Sequence, residues 1–240
     1  MTIGNSRLRH SGLVRVTHWL TTIAFLALLV TGVEILISHP RFYWGETGNV
    51  NEQPLFTLHI PTSRSTIPNG FSISLPDQNG WSRYLHFEAA WLAVITGLLY
   101  AAYGFAKGHF RRDVVPLASD LTPKVIAREA ARHARPWRPG EDDAWSYNVL
   151  QRIAYSAVIF ILFPLVIWTG LDMSPAFTSA FPGAVTILGG RQSARTIHFA
   201  VTVLLVAFLI VHVAMVYFAG FRERVGSMIT GRLSKIEEHA

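Results

Sequence analysis

Four stretches of the chain are apolar on every side: Trp19–Ile37, Phe87–Ala106, Ile153–Leu171 and Phe199–Phe221. Each is about 20 residues long, the length a helix needs to cross a ~30 Å hydrocarbon core. None carries the polar face of a helix that packs on one side and meets water on the other, so four buried helices of a soluble bundle fit less well. The pattern predicts an all-α integral membrane four-helix bundle, one membrane domain over residues 1–240, with spans at about 18–37, 86–106, 152–171 and 196–221. Two of the connections between spans are sizeable polar excursions. In 38–85, Pro68-Asn69-Gly70 and the alternation Phe71-Ser72-Ile73-Ser74-Leu75 predict a short strand or hairpin. Phe42, Tyr43, Trp44 and Trp81 suit an interfacial aromatic belt. A connection this long usually has a task, and contact with a soluble partner is the task expected. In 107–151, Thr122 as N-cap and Pro123 in the first helical position predict a short helix to about Arg135. Beyond it, Asp142 and Asp143 restart the chain toward the third span, which Pro164 is expected to kink.

Composition agrees: 50% of residues are hydrophobic, 15% are charged, and the mean hydropathy is +0.32. The net charge of +6 does not point to nucleic acid, because the basic residues flank the apolar spans. Three Lys or Arg precede the first span, nine lie between Lys107 and Arg152, and four follow the last, against five (Arg41, Arg64, Arg83, Arg191, Arg195) in the other two loops. By the positive-inside rule both termini and the 107–151 loop are cytoplasmic, and 38–85 is extracytoplasmic. Basic residues ahead of an apolar run also describe a signal peptide, but this run has the length of a full span, and Val33–Ile37 offers no small-residue cleavage pattern. With no cysteine, disulfides, iron–sulfur ligation, thiolate zinc sites and covalent c-type haem are excluded. Redox chemistry here would use histidine ligands or organic cofactors.

Of the ten histidines, His10, His133 and His239 fall in polar segments and His39, His59 and His109 in loops, where no function is needed. Four others lie at membrane depth. His198 and His212 occupy the fourth span, fourteen residues apart, which is nearly four turns and a rise of about 21 Å on one face. They cannot share a metal ion. His18 opens the first span on the cytoplasmic side, and His86 opens the second on the outer side. Depth pairs His86 with His198 and His18 with His212, one bis-histidine site per leaflet. A single intramembrane histidine can serve as a hydrogen-bonding or proton-relay residue, but four at two matched depths favour ligands. No carboxylate or thiolate completes a zinc set, whereas haem iron takes one imidazole on each face and a bundle interior houses the macrocycle. Gly32 and Gly97 would let a flat cofactor approach the backbone. Arg83, Arg191 and Arg195 at the outer site, and Arg15 and Arg222 at the inner one, are candidate propionate partners, the alternative being snorkelling at the boundary.

Several segments carry a family resemblance: His39-Pro40 through Tyr43-Trp44-Gly45, Gly108-His109-Phe110-Arg111-Arg112-Asp113, Tyr147 to Arg152, Thr169 to Pro175 and Gly189 to Phe199. With the histidine pattern they make the chain similar to bacterial dihaem cytochrome b561 and to the b-type subunits of nickel hydrogenase and formate dehydrogenase. Closest is the branch called thiosulfate reductase cytochrome b subunit, a membrane anchor. The resemblance implies two b haems held by His18, His212, His86 and His198 in the bacterial inner membrane. It also implies electron exchange between the quinone pool and a periplasmic, often molybdenum-cofactor (molybdopterin), oxidoreductase. A stand-alone superoxide:quinone oxidoreductase of the b561 type is the alternative, disfavoured by the long 38–85 excursion. A non-redox anchor or transporter is the third, disfavoured by spans that lack interior carboxylates beyond Glu34 and Glu88 near helix ends. A quinone needs an apolar slot and one or two hydrogen-bond donors, and sequence does not choose between the two sites.

Overall fold

The computed structural model describes residues 10–49, 51–63, 75, 80–133 and 147–232. The protein is all-α, and among the described residues four helices are long and apolar enough to cross a membrane: α1 Gly12–Ser38, α2 Trp81–Ala106, the continuous stretch Val149–Asp172, and α8 Arg191–Phe218. The third is composite: α4 Val149–Ala157, a π turn Val158–Leu162, and α5 Phe163–Asp172. Pro164 has no N–H to donate to the preceding turn, and the widened turn just ahead of it is where the ladder yields. Exposed apolar side chains run along the spans, as Val16, Ile23 and Val30 do on α1. In water such a stripe would aggregate; in lipid it is solvated.

The spans are longer than the apolar runs because caps, not hydropathy, end a helix. Ser11 accepts the Val14 N–H at 3.3 Å and starts α1 six residues before its predicted onset. Residues 219–220, expected inside the fourth span, instead form a break: Gly220 sits at φ 97° and an unanticipated helix α9, Phe221–Thr230, follows. The helix expected after Thr122 is α3, Pro123–His133. Of the expected strand 71–75 only Leu75 is described, donating its N–H to Thr62 O. Residues 68–74 lie outside the described residues, as do Arg7, Arg9, Arg64, Asp142, Asp143 and His239. The 38–85 segment does contain a strand pair, β1 Arg41–Phe42 with β2 Phe56–Thr57, antiparallel. Two further short helices, α6 Pro175–Ala180 and α7 Pro182–Ile187, precede α8.

The chain divides into two compact units. The first comprises Met1–Trp19, Thr96–Ile161 and Leu205–Ala240. In it the Trp19 indole and the Arg15 guanidinium donate to the carbonyls of Met228 and Ile229, satisfying the end of α9. A π turn, Phe110–Val114, buries Phe110 against Gly104, where a Cβ would lie 2.4 Å from the ring. Arg152 fastens that turn by donating to the Arg112 and Val115 carbonyls, both at 3.1 Å.

The second unit comprises Leu20–Ile95 and Leu162–Leu204. Its organising feature is the seat of α8. The first N–H groups of a helix have no partner within it, and here the segment around Gly45 supplies them all. Arg191 N donates to Glu46 Oε2 at 3.0 Å, and Gln192 N and Ser193 N donate to Gly45 O at 3.0 and 3.2 Å. Gly45 N returns a bond to Ser193 Oγ at 2.8 Å, and Thr196 Oγ1 donates to Tyr43 O at 2.7 Å. The Glu46 carboxylate is also favourably placed at the positive end of the helix dipole. Phe42 fills the space below, stacked on Phe56 and against Phe199.

Candidate haem-ligand pairs

Each unit brings together two of the four histidines singled out in the sequence. His18 and His212 meet in the first unit, their ring centres 6.4 Å apart and their planes inclined at 51°. His86 and His198 meet in the second, again 6.4 Å apart, inclined at 57°. A metal–imidazole bond is about 2 Å, so two imidazoles on opposite sides of one ion place their ring centres roughly 6–6.5 Å apart once the half-width of each ring is added. Both pairs have this spacing. Among the described residues no group of three or more His, Cys, Asp or Glu could hold a metal ion, so each pair offers two protein ligands and no more.

Local sequence fixes the ring orientations in the second unit. His86 Nδ1 lies 2.9 Å from Thr31 Oγ1, and His198 Nδ1 lies 3.0 Å from Thr169 Oγ1. Each hydroxyl already donates its only proton to its own helix, Thr31 to Ala27 O at 2.7 Å and Thr169 to Leu165 O at 2.8 Å. Both therefore accept from the imidazole, which carries its proton on Nδ1 and leaves the Nε2 lone pair for a ligand. The residue after each threonine is glycine. A Cβ on Gly32 would come within 3.6 Å of His86 Cε1, and one on Gly170 within 3.5 Å of His198 Cε1. Threonine orients the ring and glycine gives it room, once on α1 and once on α5. The first unit surrounds its pair with aromatic rings instead. Phe208 stacks on His212 at 5.7 Å, Tyr155 meets it edge-on at 6.3 Å, and Trp19 meets His18 edge-on at 5.3 Å.

The family model described as prokaryotic cytochrome b561 matches residues 9–231. The chain belongs to that family. It is accordingly a multi-pass membrane protein that binds b haem and transfers electrons. A curated relative from Azospira oryzae, named "Putative protein-methionine-sulfoxide reductase subunit YedZ1", is 30% identical over 217 residues, covering 86% of this chain and 89% of the relative. No solved structure matches. The residues present fit the cofactor that the family implies. Both pairs have the spacing of two imidazoles that could share one metal ion, and in the second unit the tautomer would leave Nε2 as the donor.

The candidate arginines are placed less simply. Arg195 donates to the carbonyls of Arg41 and His39 and lies over the Phe42 ring, 4.8 Å from its centre. Its neighbour one turn back, Arg191, reaches Thr178, and both line a cleft with Glu46, Thr47, Met173 and Gln192. Arg15 serves α9. Arg83 and Arg222 are exposed. Gly97, expected to face a cofactor, has nothing within 4 Å of where its Cβ would be. The threonines were missed by reasoning that looked for ligands and charges. The signal was present as a dipeptide, since Thr31-Gly32, Thr96-Gly97 and Thr169-Gly170 recur in three of the four spans.

Proposed function

We propose that the chain is a dihaem b-type cytochrome subunit that passes electrons between the membrane quinone pool and an oxidoreductase outside the cytoplasm. The observation that carries it is the repetition of one 6.4 Å imidazole pair in each unit. His18 and His212 would hold one haem and His86 and His198 the other, each through Nε2. A bound haem supplies reversible one-electron chemistry. Thr31 and Thr169 hold the second pair in position and raise its donor strength through Nδ1–H. Arg83, exposed three residues before His86, is the arginine we assign to a propionate, because Arg195 and Arg15 already donate to backbone carbonyls. The basic-residue distribution supports an inner-membrane orientation with both termini in the cytoplasm. The relative's name supports a reductase as the partner, of the molybdopterin type that the family resemblance implies. The 38–85 segment, which seats α8, would be the face presented to it.

The test is a reduced-minus-oxidised spectrum of detergent-purified protein with haem quantified per chain. Two b haems per chain are expected; one or none removes the dihaem reading. A pull-down from native membranes should recover a soluble redox partner, and recovery of the chain alone would count against the subunit role.

The threonine bonds predict a potential. Thr169→Val keeps size and removes one acceptor, the hydroxyl, from His198 Nδ1–H, lowering the imidazole's donor strength and disfavouring the ferric state. One hydrogen bond is worth about 0.5–1.5 kcal/mol net, so one haem's midpoint should rise by roughly 20–60 mV, using ~59 mV per tenfold for one electron. Redox titration should show full haem content with one of two waves displaced. Two unmoved waves would show that the bond does no electronic tuning.

A further inference from the structure

In the first unit a hydrogen-bonded chain leads inward from the surface. Asp113, half exposed, accepts from His109 at 2.7 Å between Oδ2 and Nδ1. His109 Nε2 meets the Tyr100 hydroxyl at 3.2 Å. With Nδ1–H given to the carboxylate, Nε2 is an acceptor and the phenol donates to it. Tyr100 lies on α2, His109 in the turn after it, and Asp113 in the π turn that Gly104 and Arg152 hold in place. The groups facing His109 are Tyr100, Tyr103, 6.3 Å away ring to ring, and Asp113. Tyr147, the residue before the N-cap of α4, lies in the same unit. Its ring packs edge-on against Tyr155 at 5.1 Å, and Tyr155 in turn meets His212 at 6.3 Å. The hydrogen-bonded chain from the surface thus ends at Tyr100, in the unit that holds the first histidine pair.

We propose that Tyr100, His109 and Asp113 are the proton relay of a quinone site located in the first unit; this rests on the quinone reading above. Oxidation of a hydroquinone releases two electrons and two protons. The electrons leave one at a time into the cytochrome's redox centre. For each proton, the Tyr100 oxygen accepts from the quinol hydroxyl as the phenolic proton passes to His109 Nε2. The Nδ1 proton then passes to Asp113 and on to water, and rotation of the imidazole restores its starting hydrogen-bonding arrangement. Quinone reduction runs the same steps in reverse. A structural tether between α2 and the π turn would need only one of these bonds. It would not require a carboxylate, an imidazole and a phenol in a sequence that each can both accept and pass a proton along.

The experiment uses the full haem-loaded chain and a short-chain ubiquinol, following haem reduction by stopped flow. His109→Gln and Asp113→Asn should keep haem content and the dithionite-reduced spectrum, yet slow reduction by the quinol 10- to 100-fold. Added imidazole should restore the His109→Gln rate. Independently of turnover, nitrogen-15 spectra of labelled His109 should show the Nδ1–H tautomer, disturbed in Tyr100→Phe. Unchanged rates in both variants, or slowing of His109→Gln that imidazole does not relieve, would overturn the relay while leaving the quinone reading intact. Failure of the quinol to reduce the wild-type protein would overturn both. Asp113→Asn, half exposed, guards against a His109 variant that does not fold.

Discussion

His198→Ala is expected to yield a folded protein with one b haem per chain instead of two, and a reduced-minus-oxidised α band about half as tall. On the proposed assignment His198 is one of two ligands to its haem, and its loss would leave His86 alone to hold the iron. Outer-sphere changes alone typically cost 10–100-fold in metal affinity, and removal of a ligand costs more. The first pair is built from different residues in the other unit, so its haem should stay. His212→Ala should remove the complementary half, and the double variant should be colourless. His59→Ala, in the loop after β2 and outside both pairs, serves as the control and should keep both haems. Loss of both haems from either single variant would show that the sites assemble as one. Retention of both would assign the iron elsewhere.

The spans, the histidine quartet and its pairing were legible in the sequence because each follows from periodicity. A helix of known rise converts residue spacing into depth, and two histidines fourteen apart on one span demand partners at two levels. Helix ends were less legible. The apolar run cannot reveal that Ser11 caps α1, nor that Gly220 stops α8, since both depend on a single residue's local geometry. The seat of α8 was invisible for another reason: Gly45, Glu46 and Gly190 are brought together across about 145 residues, and nothing in either segment names the other. His109 was read as a loop histidine without a role. Its meaning comes from Tyr100 one element earlier and Asp113 four residues later, and only the turn at Gly108 (φ 64°) brings the ring back to Tyr100.

That seat predicts a large effect of a single methyl group. Gly190 lies at φ 111°, where an L side chain costs about 1–3 kcal/mol. Its added Cβ would stand 2.5 Å from the carbonyl carbon and oxygen of Gly45 and 2.6 Å from Glu46 N. These are backbone atoms that cannot rotate aside, so Gly190→Ala must open the seat. Opening it removes the bonds from Gln192 N and Ser193 N to Gly45 O, and that from Gly45 N to the buried Ser193 hydroxyl. Each is worth about 0.5–1.5 kcal/mol, and more where a buried donor is left unmet. The total is several kcal/mol against a usual stability of about 5–15 kcal/mol. Because α8 carries His198 two turns beyond the seat, the loss should be read at the haem. Gly190→Ala is expected to lower yield, reduce the melting temperature in detergent by many degrees, and lose haem preferentially from the His86–His198 pair. Gly183→Ala, on α7 with nothing within 4 Å, is the matched control and should behave as wild type. If Gly190→Ala melts and binds haem as wild type does, the close approach of Gly45 to α8 is not what holds His198 in place.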